Sequence, residues 1–370
     1  MAIPVLGKEE QDNILQAVKT GWISSQGKFV NVFENKFSSF CNCKYGVAVA
    51  NGSVAIHLAL ASLKIGSGDE VITTPISHIA TVNSIFLTGA KAVFVDSTMR
   101  NWNMDPEKIE KKITKKTKAI LVVHLYGHPV DMDPVLYLAR KYNLYVVEDA
   151  AEAHGAMYKK KMVGSLGNIS CFSFYANKII TTGEGGMIVT NNSKLAQKAA
   201  KLRDQAYEKK RRFWHKEFGF NYRFTNLQAA IGVAQMRNID KFINIRRKNA
   251  WLYNSLLKNT PGVTLPPEEK WAKNVYWMYS ILINTKQFGM NRNNLVLELK
   301  NKGIDSRRFF YPIHKQPLYA SKYKNDKYPV AEGLSLTGLN LPSGNELTSA
   351  EIKYISQAII DIQKASVNGK

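Results

Sequence analysis

Lys178 closes the segment Ser173-Phe-Tyr-Ala-Asn-Lys178, which continues an apolar run and leads into Ile179-Ile-Thr-Thr-Gly183-Glu-Gly185-Gly186. Upstream, Val146-Val147-Glu148-Asp149 ends a second apolar run on an acid. An amine at one strand–loop edge and a carboxylate at the end of a neighbouring strand are the two groups that pyridoxal phosphate chemistry requires. The amine can form a Schiff base with an aldehyde, and the carboxylate can keep a pyridine nitrogen protonated. Acids rarely end a buried strand unless paired, so Asp149 stands out. Glu148, Asp149 and Glu152 form a cluster, and helix capping by one of them is the plainer alternative.

Further residues surround this pair. At Asn51-Gly52-Ser53 a strand turns directly into a helix, and the free N–H groups there, with the Ser53 hydroxyl, suit an anion. The same tripeptide also reads as an ordinary helix cap. Ser173 could donate to a phosphate or satisfy a strand-end backbone group. His78 opens a helix after Pro75-Ile-Ser, where its ring could stack on a flat cofactor or serve as a cap. Gly183 to Gly186 would let backbone approach a ligand, although turns use the same residues.

The elements that must position these residues alternate. Strands are expected at Tyr45–Ala50, Val71–Thr74, Ala92–Val95, Ala119–Val123, Leu144–Val147, Phe172–Phe174 and Gly186–Thr190. Helices are expected near 54–63, 78–88, 105–113 and 131–142. That order predicts a mainly parallel sheet covered on both faces. After residue 224 the spacing predicts one helix to Gln235, a second over Ile239–Leu257, a strand at Tyr276–Ile283, and helices at Asn294–Lys302 and Ser349–Ala365. We expect a large domain over 1–240 and a smaller one over 241–370.

Composition narrows the function. A chain of 370 residues, 45% hydrophobic and 22% charged, can bury a sizeable core. No apolar run spans a membrane and the N-terminus lacks the regions of a signal peptide, so a cytoplasmic location without membrane contact is expected. Cys41, Cys43 and Cys171 cannot all pair, which fits reduced thiols, and no metal site is expected. The net charge of +22 is spread along the chain, including Lys159-Lys160-Lys161 and Lys209-Lys210-Arg211-Arg212. No nucleic-acid motif accompanies it, so no nucleic-acid partner is expected, and a basic surface would instead attract small polyanions.

Taken together, Asn51-Gly-Ser-Val-Ala-Ile-His-Leu-Ala59, Glu148-Asp-Ala-Ala-Glu-Ala-His-Gly-Ala156, Phe172–Gly186 and Gly219-Phe-Asn-Tyr-Arg-Phe-Thr-Asn-Leu-Gln-Ala-Ala230 resemble the DegT/DnrJ/EryC1/StrS family of sugar aminotransferases. The likeness runs nearly the full length. Trp22-Ile-Ser-Ser25, His124-Leu-Tyr-Gly-His-Pro129 and Phe309-Phe-Tyr-Pro-Ile-His314 resemble those members that aminate GDP-4-keto-6-deoxymannose.

The resemblance implies a fold-type I α/β aminotransferase with a smaller C-terminal α+β domain, and pyridoxal 5′-phosphate passing through its pyridoxamine form. Lys178 would be the Schiff-base lysine and Asp149 the partner of the pyridine nitrogen. Glu152, where many relatives carry Gln, would lie near the phenolic oxygen. Gly52, Ser53 and Ser173 would hold the phosphate, His78 would stack on the ring where close relatives carry Phe or Tyr, and Asn221 would reach the phosphate from the second subunit of a homodimer. The amino donor would be L-glutamate and the acceptor a nucleotide-linked keto-sugar; the alternative is a smaller phosphorylated ketone or a UDP- or dTDP-linked sugar. Ser24, Ser25, His215, Arg223 and His314 are the candidate substrate contacts. Dehydratases of the same fold carry His at the lysine position, and Lys178 argues against that branch.

Overall fold

The computed structural model describes residues 3–208 and 211–368, so Lys209 and Lys210 of the basic group noted above lie outside it. Two helices, α1 (Lys8–Lys19) and α2 (Lys28–Phe40), precede the first strand. Seven strands then form the main sheet: β1 (Tyr45–Val49), β2 (Glu70–Thr73), β3 (Lys91–Phe94), β4 (Thr117–Val123), β5 (Tyr145–Asp149), β8 (Ile169–Ser173) and β9 (Gly186–Thr190). Their order is β1-β9-β8-β5-β4-β2-β3, and β9 alone runs against its neighbours. The buried runs such as Ile169-Ser-Cys-Phe-Ser173, inside on every residue, are what a sheet covered on both faces demands.

Helices α3 (Gly52–Ser62), α4 (Ile79–Leu87) and α5 (Met132–Lys141) connect these strands, and α6 (Ser193–Arg203) follows the last of them. Because six strands point the same way, their carboxyl ends gather on one edge. Ser173 pairs with Gly186, Gly186 with Val49, and Asp149 with Cys171. Crevices at such an edge are where α/β sheets bind ligands.

Two expectations are corrected here. The segment near 105–113 is two short 3₁₀ turns, Pro106–Lys108 and Glu110–Lys112, not an α-helix. Between them only Ile109 is buried, too little apolar surface to hold a full helix. The two helices expected on either side of residue 237 are one, α7 (Asn226–Leu257), of 32 residues. Thr225 and Gln228 form a capping box at its start, and no Gly or Pro interrupts the stretch around Arg237-Asn238. Arg237 simply faces outward, 2.6 Å from Glu9.

The last turns of α7 and the chain beyond it build a second core of Tyr253, Leu257, Ile281, Leu295, Leu299, Ile352 and Ile359. It sits on a four-stranded antiparallel sheet of β12 (Val263–Thr264), β14 (Tyr279–Ile283), β16 (Gly338–Leu341) and β15 (Arg307–Arg308). Residues from this part of the chain also join the first core: Trp277, Phe309 and Ile313 pack into it, and β13 (Ala272–Lys273) pairs with β6 (Met157–Tyr158), which pairs with β7 (Lys161–Met162). The antiparallel pair β10 (Tyr207–Glu208) and β11 (Arg211–His215) forms a sheet of its own. No helix among the described residues is long and apolar enough to cross a membrane.

Candidate active site

At the carboxyl edge of the main sheet lies a cavity of about 570 Å³. Gly52, Ser53, His78, Asp149, Glu152, Ser173 and Lys178 all line it. Lys178 sits in a turn after β8, its N–H donating to Tyr175 O at 2.9 Å. The loop closes on itself, since Phe174 N–H donates to Gly185 O at 2.8 Å and Thr181 Oγ1 to Phe174 O at 2.9 Å. Its glycines serve packing: a Cβ on Gly186 would lie 2.4 Å from Asn51 O, and one on Gly185 would meet Thr182 and Phe224. The side chain of Lys178 extends to the face of Trp277, with Nζ 3.8 Å from the ring centroid. Burial lowers the proton affinity of this amine, against the pull of Glu152 and Asp149.

Parity along β5 separates the acids. Asp149 faces the cavity, where Thr81 Oγ1 donates to Oδ2 at 2.7 Å and Ala151 N–H to Oδ1 at 3.2 Å. Glu148 points to the other face and accepts from Gly164, Leu166 and Gly167 N–H, Ser170 Oγ and His124 Nε2. It thus folds the 164–170 loop and takes no part in the cavity. Glu152 returns to the cavity, accepting Tyr126 N–H at 2.7 Å. Burial raises its proton affinity, with Lys178 opposing the shift.

The anion seat is built from the first turn of α3. Asn51 is the cap, its side chain accepting Val54 N–H at 3.0 Å. That leaves Ser53 free of capping duty: its hydroxyl, and the N–H groups of Gly52 and Ser53, meet no acceptor among the described residues. A Cβ on Gly52 would lie 2.7 Å from Ser173 Cβ, so helix start and strand end touch. His78 both caps and lines: Nδ1 accepts Ala80 N–H at 3.3 Å, while the ring meets Phe310 edge-on at 5.8 Å. Burial, Lys178 next, lowers its proton affinity, with Asp149 opposing.

These residues fit pyridoxal phosphate. The cavity offers unpaired N–H donors at a helix start for a phosphate, an amine and a carboxylate for the two ends of the ring, and a buried side-chain oxygen, Asn177 Oδ1, that has no partner.

The other candidates lie elsewhere. Ser24, Ser25, Asn221 and Arg223 line a separate cleft of about 730 Å³ with Asp204, which pairs with Arg223 at 2.9 Å. Arg223 also donates to Asn221 Oδ1 at 3.0 Å. His215, exposed on β11, bonds Gln205 O at 2.7 Å and lines neither space. His314 is buried away from both, 2.9 Å from Glu332 and edge-on to Tyr328.

Sequence reasoning missed several cavity residues. Thr81 lies one helical turn after His78, a spacing that could have found it. Trp277, Arg307 and Phe310 come from distant segments whose approach only the fold reveals. Arg246 was also missed. Buried, it donates to Trp277 O at 2.8 Å and Ser343 O at 3.0 Å and so holds the backbone at Trp277, whose indole N–H donates to Asn177 O at 3.0 Å.

The description "DegT/DnrJ/EryC1/StrS aminotransferase family" matches residues 4–360. GDP-perosamine synthase of Escherichia coli O157:H7 is 45% identical over 96% of each chain, and that of Caulobacter vibrioides 44% identical over 97% of this chain and 96% of its own. Among solved structures, the aminotransferase from Psychrobacter cryohalolentis superposes with a TM-score of 0.94 at 31% identity, covering 100% of both chains. Helicobacter pylori PseC, an aminotransferase of pseudoaminic acid biosynthesis, gives 0.92 at 30% identity over 98% of each. This chain belongs to the DegT/DnrJ/EryC1/StrS aminotransferase family, and is a pyridoxal-phosphate-dependent aminotransferase.

Proposed function

We propose that the protein transfers the amino group of L-glutamate to the 4-keto group of a nucleotide-linked 4-keto-6-deoxy sugar, GDP-linked in the first instance, for surface polysaccharide synthesis in the cytoplasm. The observation that carries the site reading is the convergence of Lys178, Asp149, Glu152 and the Gly52–Ser53–Ser173 seat on one cavity. The acceptor follows from the relatives named GDP-perosamine synthase, which match over nearly the whole chain.

When bound, pyridoxal phosphate supplies an electron sink for a carbanion and a carrier for the amino group. The chain does the rest. Gly52 and Ser53 N–H, with the Ser53 and Ser173 hydroxyls, hold the phosphate. Asp149, held in place by its two donors, would accept the proton-bearing pyridine nitrogen. Glu152 would lie near the phenolic oxygen, and His78 would stack on the ring. Lys178, made less basic by burial, would take the α-proton of the donor at Nζ and release it on the cofactor carbon two atoms away. Trp277, its backbone held by Arg246, limits the arc through which the amine swings. The reverse sequence, with the keto-sugar as acceptor, uses the same proton path.

Homodimerisation belongs to this reading. The cleft that holds Asn221, Arg223, Ser24 and Ser25 lies apart from the lysine cavity of its own chain, as expected if it serves the partner's cavity. Mixing inactive Lys178→Ala and Asn221→Ala proteins under conditions of subunit exchange should restore part of the activity. No recovery would contradict the shared site.

The substrate is tested by incubating the enzyme with glutamate and a panel of GDP-, UDP- and dTDP-linked keto-sugars and small phosphorylated ketones, and reading products by mass spectrometry. An aminated GDP-sugar as the preferred product supports the proposal; preference for a phospho-ketone or another nucleotide overturns it.

A further inference from the structure

Asp149 reaches the cavity already engaged by a chain of hydroxyls. Thr81 Oγ1 donates to Asp149 Oδ2 at 2.7 Å, and Ser77 Oγ lies 2.8 Å from Thr81 Oγ1. Ser77, Thr81 and Asp149 are all buried, at 3%, 0% and 5% exposure. The directions follow from chemistry. An ionised carboxylate only accepts, so Thr81 spends its one proton on Asp149, and the Ser77 hydroxyl must donate to Thr81. Both hydroxyls come from one stretch of chain, the turn before α4 and its first turn, four residues apart and so one above the other. The same turn carries His78 on the cavity wall, so one short segment supplies a ring neighbour and the support of the acid.

We propose that Thr81, backed by Ser77, is a positioning residue that fixes the orientation of Asp149, and through it the hydrogen bond that Asp149 would make to the cofactor's ring nitrogen. The inference rests on the reading of Asp149 given above. Water cannot readily replace the donor, because the Thr81 side chain is sealed in the wall. The other charged or titratable groups facing Asp149 are Lys178, Glu152 and His78 from the cavity and the Cys171 thiol from β8. None of these makes a hydrogen bond to it in the structure, so Thr81 is its side-chain donor.

The test compares Thr81→Val, Thr81→Ser, Ser77→Ala and Asp149→Asn as holoenzymes. Valine keeps the shape and removes the donor; serine keeps the donor. Two readouts apply: the pH midpoint of the bound cofactor's visible absorbance, and kcat with KM for glutamate. Loss of a buried donor to a charged group predicts for Thr81→Val a kcat about 10- to 100-fold lower and a midpoint shifted in the same direction as in Asp149→Asn. Thr81→Ser should restore both, and Ser77→Ala should shift both by less. A Thr81→Val enzyme with wild-type midpoint and kcat, beside an Asp149→Asn enzyme that shifts, would overturn the relay and leave the assignment of Asp149 standing. An unshifted Asp149→Asn would overturn that assignment, and the relay with it. If valine destabilises the fold, Ser77→Ala and Thr81→Ser carry the comparison, and equal values in both variants and wild type refute the relay.

Discussion

Gly52→Ala probes the anion seat without removing a polar group. The added Cβ would stand 2.7 Å from Ser173 Cβ and 3.1 Å from its Oγ, the first about 0.7 Å short of an ordinary contact. Gly52 is not among the glycines of positive φ, so alanine meets no backbone strain, and at a helix start it would otherwise be neutral or favourable. Sterics therefore decide the sign. Neither neighbour yields cheaply: Ser173 is locked opposite Gly186 in the sheet, and Gly52 opens a helix in which it and Ala55 are buried. Overpacking of this kind costs about 1–3 kcal/mol. Part of it will appear as a lower melting temperature. Part will appear as a splayed seat, with weaker charge-assisted bonds to the phosphate, and cofactor affinity should fall about 10- to 100-fold.

The assay is absorbance titration of apoprotein with pyridoxal phosphate, paired with thermal denaturation. Gly52→Ala/Ser173→Gly removes the facing Cβ, so its loss of stability should be smaller than the sum of the two single losses. Its affinity should stay low, because the Ser173 hydroxyl is gone. Wild-type affinity in Gly52→Ala, with an unchanged melting temperature, would refute the seat as described.

Two more outcomes follow from the cavity wall. Burial, acting against Lys178, makes Glu152 hold its proton more tightly in the folded than in the unfolded chain, so its contribution to stability is present in acid and is lost as pH rises through the raised folded value. Glu152→Gln keeps an acceptor for Tyr126 N–H and removes that loss. The variant apoprotein should melt above wild type at alkaline pH and converge with it in acid; a lower melting temperature at alkaline pH contradicts this. Trp277→Leu removes the ring face under Lys178 Nζ, an interaction worth about 1–2 kcal/mol when desolvated, so kcat should drop about 5- to 30-fold with KM for glutamate little altered. A KM effect alone would place the tryptophan in substrate binding instead.

How far the sequence reaches depends on where a residue sits. Lys178, Asp149, Gly52, Ser53, Ser173 and His78 were legible because each lies at a strand end, in the turn just after one or at a helix start, where local pattern and chemistry coincide. The alternation of apolar runs likewise foretold the main sheet. Glu148 and Asp149 could not be told apart until strand parity assigned them to opposite faces, one folding a loop and one facing the cavity. Trp277, Arg307 and Phe310 lie far along the chain, and their approach depends on how the second sheet packs against the first. The break expected near Arg237 reflected a polar pair that the long helix merely turns outward.

The central claim is that Lys178 is the amine that engages the cofactor. Reduction of the holoenzyme with borohydride, followed by proteolysis and peptide mass spectrometry, tests it directly. The account predicts a stable pyridoxyl adduct on the peptide carrying Lys178 and on no other lysine, and its disappearance in Lys178→Ala. An adduct on another lysine, with Lys178 unmodified, would contradict it.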